Sequence, residues 1–152
     1  MTVLLGSSGV SWSADFQKGL DAYYRGDYTT ALKKWAPLAE QGNAYAQNNL
    51  GVMYEDGRSV PQDYNTAVKW YKLAAEQGNA LAQYNLGWMF RGGLGVPQDY
   101  VRAHMWFNLS ASKGDKDTVD SRDVVAEKMT PADISAAQKL ARECVAKNYK
   151  GC

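Results

Sequence analysis

Residues 44–79 and 80–115 of this chain are nearly the same text. Laid over each other without a gap, they agree at 18 of 36 positions. The matches include Ala44/Ala80, Leu50/Leu86, Gly51/Gly87, Gly57/Gly93, Pro61/Pro97, Asp63/Asp99, Tyr64/Tyr100, Ala67/Ala103, Trp70/Trp106 and Gly78/Gly114. Repetition at a fixed period of this length is the signature of stacked structural units, and it restricts the fold more than composition does. A third, degenerate copy precedes them. "GDYTTALKKWAPLAEQGN" (Gly26 to Asn43) keeps the register, because Asp27, Asp63 and Asp99 are evenly spaced. Its first half fits only when four residues are dropped between Gly19 and Asp27, so a tight turn is expected where the other copies carry a loop.

Each unit reads as helix, loop, helix. In residues 44–79 the small and apolar side chains of Ala46, Leu50, Met53 and Tyr54 recur on one helical face. Gly57 is expected to stop that helix, since glycine accepts the left-handed conformation of many helix ends. Pro61 forces an extended residue before it and keeps "RSVPQ" a loop. Asp63 is placed to cap the second helix by accepting backbone N–H bonds. Ala67, Trp70, Tyr71 and Ala74 form that helix's apolar stripe, and Gly78 ends it. The matched alanines and glycines let helix axes approach while Trp and Tyr fill the gaps. A single hairpin cannot bury its apolar face alone, so the units are expected to stack as an all-α solenoid of antiparallel pairs.

The stretch "AQNNLGVMYEDGRSVPQDYNTAVKWYKLAAEQGNA" and its partner resemble Sel1-like repeats, the longer-looped relatives of tetratricopeptide repeats. The resemblance runs over about residues 15–115 and is densest over 44–115. The first unit, with its shorter loop, is closer to an ordinary tetratricopeptide repeat. The resemblance implies a right-handed solenoid, a bacterial source and a role in protein–protein interaction. It divides the chain into a leader (1–14), a degenerate repeat (15–43), two full repeats (44–79 and 80–115) and C-terminal capping helices (116–152).

The 17 basic and 16 acidic residues nearly cancel, which removes the electrostatic footprint of a nucleic-acid binder. No apolar run approaches the ~20 residues that cross a bilayer. The opening "MTVLLGSSGVSWSAD" has a short apolar stretch from Val3 to Leu5 and a small residue, Ala14, before Asp15. It reads either as the remnant of a secretory signal or as a disordered leader, with Trp12 a poor fit to a cleavage site. The signal reading implies a periplasmic or secreted protein.

At the other end, "DTVDSRDVVAEKM" reads as a helix to which Val119, Val124 and Val125 bring sparse apolar contacts. Thr130, Pro131 and Asp133 then announce a second helix: an N-cap, a proline in the first turn and an acid at the positive pole. Ile134, Ala137, Leu140, Ala141 and Cys144 form its amphipathic stripe, suited to covering the last repeat. A helix opening on "MTP" after the last repeat also resembles the tail of many bacterial members of the family. Cys144 and Cys152 are the only cysteines. In an oxidising compartment they would close a small loop; otherwise Cys144 is a small buried hydrophobe and Cys152 is free. Two cysteines and the distant His104 do not make a metal site, and no cofactor is expected.

One four-letter pattern carries potential chemistry. Ser110-Ala111-Ser112-Lys113 matches the S-x-x-K of penicillin-recognising serine enzymes, and some bacterial Sel1-like proteins bind penicillin or hydrolyse β-lactams weakly. The alternative reading of the chain is therefore a serine enzyme using Ser110 and Lys113. Against it, no S-D-N or K-T-G follows, and the cysteine pairs of that subfamily are missing. Ser110 also stands where the preceding repeat has the packing residue Ala74. His104 stands at the place of Val68 and reads as a surface or half-buried side chain without triad partners. "RGGLGVP" matches "EDGRSVP" and is the repeat loop, not a phosphate cradle. The chain is expected to be no enzyme and to take no small-molecule substrate.

Function is then expected where the repeats differ. In the first helix of each unit the unmatched pairs include 45/81, 48/84, 52/88, 55/91 and 56/92, which spacings of three and four place on one stripe. The stripe holds Tyr45, Asn48, Val52, Glu55 and Asp56, then Leu81, Tyr84, Trp88 and Arg91. Stacked hairpins turn their first helices to the concave side. The matched Asn49 and Asn85 sit where tetratricopeptide clamps bind a ligand's backbone amide. A groove of this composition suits a protein partner or an extended peptide.

Overall fold

The computed structural model describes residues 8–152, and within them eight α-helices and no strand. They are α1 (Ser8–Tyr24), α2 (Tyr28–Glu40), α3 (Ala44–Asp56), α4 (Tyr64–Ala75), α5 (Ala80–Gly92), α6 (Tyr100–Ala111), α7 (Lys116–Ala126) and α8 (Pro131–Ala146). Helix α1 starts earlier than the sequence boundary at residue 15. Nothing between Ser8 and Asp15 stops a helix, and Trp12 already packs on the first core cluster. The leader reading spans residues 1–14; residues 1–7 lie outside the described residues, and residues 8–14 belong to α1.

Each helix from α2 to α8 begins at a side chain that accepts a backbone N–H, which is why the boundaries fall at a constant period. Asp27, Asp63 and Asp99 cap the second helix of their units; Asn43 and Asn79 cap the first helix of theirs. Thr130 and Asp133 form a reciprocal capping box at the head of α8. The left-handed C-cap glycines Gly57 (φ 68°) and Gly93 (φ 66°) end α3 and α5 before the long loops. In the first unit the turn between α1 and α2 is short. Arg58 from the next unit's loop lies over the rings of Tyr23 and Tyr28 and donates to both hydroxyls, at 2.8 and 3.1 Å.

Each hairpin closes by the same device. Gly19, Gly51 and Gly87 face Trp35, Tyr71 and Phe107 so closely that a methyl group would lie 2.2–2.5 Å from the ring atoms. The ring takes the space that a side chain would have occupied. Burying each such aromatic stabilises the fold by about 1.5–3 kcal/mol. Two core clusters result, one joining α1, α2 and α3 and a larger one running from α4 to α8, with Trp70 half-buried against the first.

The cap is not a fourth hairpin. Helix α7 stacks on α6 as a first helix does, but α8 crosses back over α6 and barely touches α7. Val125 and Thr118 are the buried residues of α7, while Val124 is exposed; on α8 Ala137, Ala141 and Cys144 are buried and Leu140 is exposed. Both departures have one cause. With α8 splayed away from α7, the apolar stripes of the two helices are covered on one flank only. The tail beyond α8 returns to the second unit: Tyr149 packs on Gly78, and the Gly151 N–H donates to the Glu76 carboxylate at 3.3 Å. A disulfide joins Cys144 to Cys152. By the loop-entropy relation, closing so short a loop stabilises by about 2–3 kcal/mol.

Candidate functional site

Helices α1, α3 and α5 lie side by side on one face of the stack, bridged by side chains. The Phe16 and Tyr45 rings meet edge-on at 6.1 Å between α1 and α3, and the Asn85 amide donates to Asn48 Oδ1 at 3.0 Å between α5 and α3. This face carries the stripe of differing positions, and the structure divides its members.

Tyr45 (63% exposed), Leu81 (60%) and Trp88 (37%) are open to solvent. Trp88 stands on an aromatic base, with the Tyr84 and Phe107 rings centred 6.2 and 5.8 Å away. The Arg91 guanidinium lies 4.5 Å over the Trp88 ring, a cation–π contact that holds the indole. Tyr45 and Leu81 line a hollow of about 290 Å³ with Lys113 and the α4–α5 turn. Val52 and Asn49 line another, of about 190 Å³, with Leu20, Tyr23 and Tyr24 of α1.

Two stripe residues belong to the scaffold instead. Asn48 is 5% exposed, because it faces α5 and accepts from Asn85. The Asn85 amide is thereby satisfied within the protein, and Asn49 joins the same relay by accepting from Asn48 at 3.5 Å. Glu55 is half-buried and accepts a 2.5 Å hydrogen bond from the Tyr71 hydroxyl. Burial raises the Glu55 carboxyl above its ordinary range, opposed by the Tyr71 bond; the Tyr71 hydroxyl is itself raised by burial and by the adjacent carboxylate. Asp56 is exposed but turned to the loop, where it pairs with Arg58 at 3.0 Å.

Three contributors were not read from the sequence: Leu20, Tyr23 and Tyr24 of α1, the last of them 82% exposed. The signal was present in Gly19. Once Gly19 is set on Gly51 and Gly87, Phe16, Leu20, Tyr23 and Tyr24 fall at the places of Asn48, Val52, Glu55 and Asp56.

Ser110 and Lys113 do not assemble a nucleophile. Ser110 is 2% exposed, and its hydroxyl donates to the Ala80 carbonyl at 2.8 Å, tying α6 to the head of α5. His104 is buried, not half-exposed as its polarity implied, and its Nδ1 has no partner among the described residues. Burial and the nearby Arg122 lower its pKa below the usual imidazole value. It faces the cap, where Val68 faces α5 in the preceding unit.

The Sel1 repeat model matches residues 44–79 and 80–115. Among solved structures, the chain superposes with a TM-score of 0.85 on c5321, a protective antigen present in uropathogenic Escherichia coli strains displaying an SLR fold. Identity is 28%, and the match covers 91% of this chain and 30% of that one. It also superposes on a Sel1 repeat protein from Oxalobacter formigenes, with a TM-score of 0.66 and 33% identity over 74% of this chain and 87% of that one. The chain thus spans about 30% of the length of c5321. No curated protein matches it. The repeat register, the paired helices and the likeness to these structures agree: the chain belongs to the Sel1-repeat family.

Proposed function

We propose that the chain is a non-enzymatic protein-binding module that holds an extended peptide or a partner segment along the α1–α3–α5 face. Sel1 repeats typically mediate interactions between proteins, and this chain carries two of them. One observation carries the finer reading. Matched residues such as Leu50/Leu86 and Ala67/Ala103 are buried, whereas the unmatched Tyr45, Leu81 and Trp88 are the large apolar side chains that this face leaves exposed. Trp, Tyr and Arg are the usual anchors of protein interfaces, and the Trp88–Arg91 stack offers all but the tyrosine within one helical turn. Tyr24 and Tyr45 extend the apolar surface toward the first unit.

The test is selection of displayed peptides on the immobilised chain, followed by calorimetry on the selected sequences. Trp88→Ala and Tyr45→Ala alter side chains that this face leaves open to solvent, and circular dichroism and thermal melts establish that each variant is folded. Each is expected to weaken binding about tenfold or more, the loss of a side chain worth at least ~1.4 kcal/mol. Undiminished affinity in both folded variants refutes the assignment.

The disulfide supports export to an oxidising compartment, a bacterial periplasm or the medium. Thiol labelling of the protein isolated from its native source without reductant tests this: labelled Cys144 and Cys152 would refute it.

A further inference from the structure

We propose that the cleft between α7 and α8 is a binding site for a small amphiphilic carboxylate, an aliphatic acid of medium chain length. This site shares no lining residue with the groove of the α1–α3–α5 face. The cleft exists because α8 does not return along α7. Both helices rest on α6, and the space between them stays open. Its walls are anchored, since α7 stacks on α6 and the disulfide-closed tail ties the end of α8 to the α4–α5 turn through Tyr149 and Gly151. The opening is therefore built into the cap.

The cleft measures about 380 Å³. At the ~30 Å³ that a water-sized group occupies in a liquid, it takes about a dozen non-hydrogen atoms. That falls within the range of small-ligand sites. Leu109, Val119, Ala141 and Val145 make its walls apolar, and among the described residues the charged side chains lining it are Arg122 and Arg142, with no carboxylate.

Arg122 is partly engaged, donating to Asp123 at 2.8 Å and to Asn108 at 3.3 Å. Arg142 is exposed and, among the described residues, makes no ion pair. An unpaired, planar donor fork over an apolar cleft matches a carboxylate head with an aliphatic body. A wholly polar anion would gain nothing from the apolar walls, and an apolar cation would meet two like charges.

The probe is sodium octanoate, titrated into the full disulfide-bonded chain and followed by amide chemical shifts and calorimetry. Octylammonium chloride serves as the same tail with the opposite charge, and propionate as the same head without the tail. Saturable binding of octanoate is expected, with shifts centred on Leu109, Val119, Ala141 and Val145, and weaker binding of both controls. Arg142→Gln and Val145→Asp change exposed side chains, and each is expected to weaken octanoate at least fivefold without altering the helical spectrum. Equal binding of octylammonium, unchanged affinity in the Arg142 variant, shifts confined to the Tyr84–Trp88 face, or no binding at all would each overturn the proposal.

Discussion

Replacing Tyr71 with phenylalanine tests the claim that the repeat units differ in linked pairs. In the second unit the Tyr71 hydroxyl donates to Glu55 at 2.5 Å; in the third, Phe107 and Arg91 occupy those two places, and Arg91 lies over Trp88. The ring of Tyr71 fills the space opposite Gly51, so Tyr71→Phe keeps the packing and removes one donor. A hydrogen bond to a charged group is worth about 1.5–3 kcal/mol, and Glu55 keeps some contact with solvent, so the expected loss is about 1–2 kcal/mol at pH 8. For a chain of this size that lowers Tm by about 2–8 °C. The sign with pH follows from the bond. Tyr71 favours the ionised carboxylate, and burial raises the Glu55 pKa. In the variant that pKa rises further, so the penalty is full where Glu55 is ionised and shrinks as pH falls through its pKa. Urea denaturation at pH 8 and pH 4, with Glu55→Gln and the double variant, closes the cycle. A coupling within about 0.3 kcal/mol of zero, or a penalty that grows on acidification, refutes the reasoning.

Four further substitutions probe positions of the third unit. Burial and Arg122 lower the His104 pKa, with Asp123 opposing, so the folded state resists protonation; stability is expected to fall as pH drops below the unfolded value of about 6.5, and to level off below the folded one. His104→Val, the residue of the preceding unit, should abolish that slope in denaturation profiles between pH 7.5 and 5. At Gly95 (φ 67°) a Cβ would lie 2.4 Å from the Tyr64 carbonyl, whereas at Gly93 it would lie 3.3 Å from the Gln98 side chain. Gly95→Ala is therefore expected to cost about 2–4 kcal/mol and Gly93→Ala about 1–2 kcal/mol in urea denaturation, and equal costs would disprove the close approach. Gln47 Oε1 accepts from Gln77 at 2.8 Å, but its counterpart Gln83 Oε1 is buried without a partner among the described residues, because Lys113, which replaces Gln77, does not donate to it. Lys113→Gln should raise stability by about 0.5–1.5 kcal/mol, and a decrease in Tm contradicts the analogy.

The hairpins were legible because their boundaries depend on local chemistry. Asp63 caps α4 from its own position, and Gly57 ends α3 through its own φ. The right side of the stripe was legible too, since spacings of three and four fix which residues share a helical face. Spacing does not fix where that face meets a neighbouring helix. Asn48 lies at the stripe's edge, and whether such an edge is open depends on how far α5 leans over α3. Glu55 was misplaced for a different reason. Its partner Tyr71 is on another helix and differs from its own counterpart Phe107 by one hydroxyl, a change invisible when each helix is read alone. His104 shows polarity misleading where register did not: its counterpart Val68 is apolar and buried.

These discrepancies share a direction. In the second unit Glu55 is held by Tyr71 and Gln47 by Gln77, so the hairpin satisfies its own polar groups. In the third unit phenylalanine replaces that tyrosine and lysine replaces that glutamine. Gln83 is left with an unpaired oxygen, while Arg91 is released to stack on Trp88 and Lys113 stands beside Leu81. Removing a donor and its acceptor together is nearly neutral, whereas removing one partner leaves a buried group unsatisfied. The Tyr71/Phe107 and Glu55/Arg91 differences are of the first kind, and the Gln77/Lys113 difference is of the second. Both place a cation on the face that carries the exposed aromatics. The third unit is thus less self-contained than the second, and the two cations that replace its internal partners, Arg91 and Lys113, stand on the face proposed to bind a peptide.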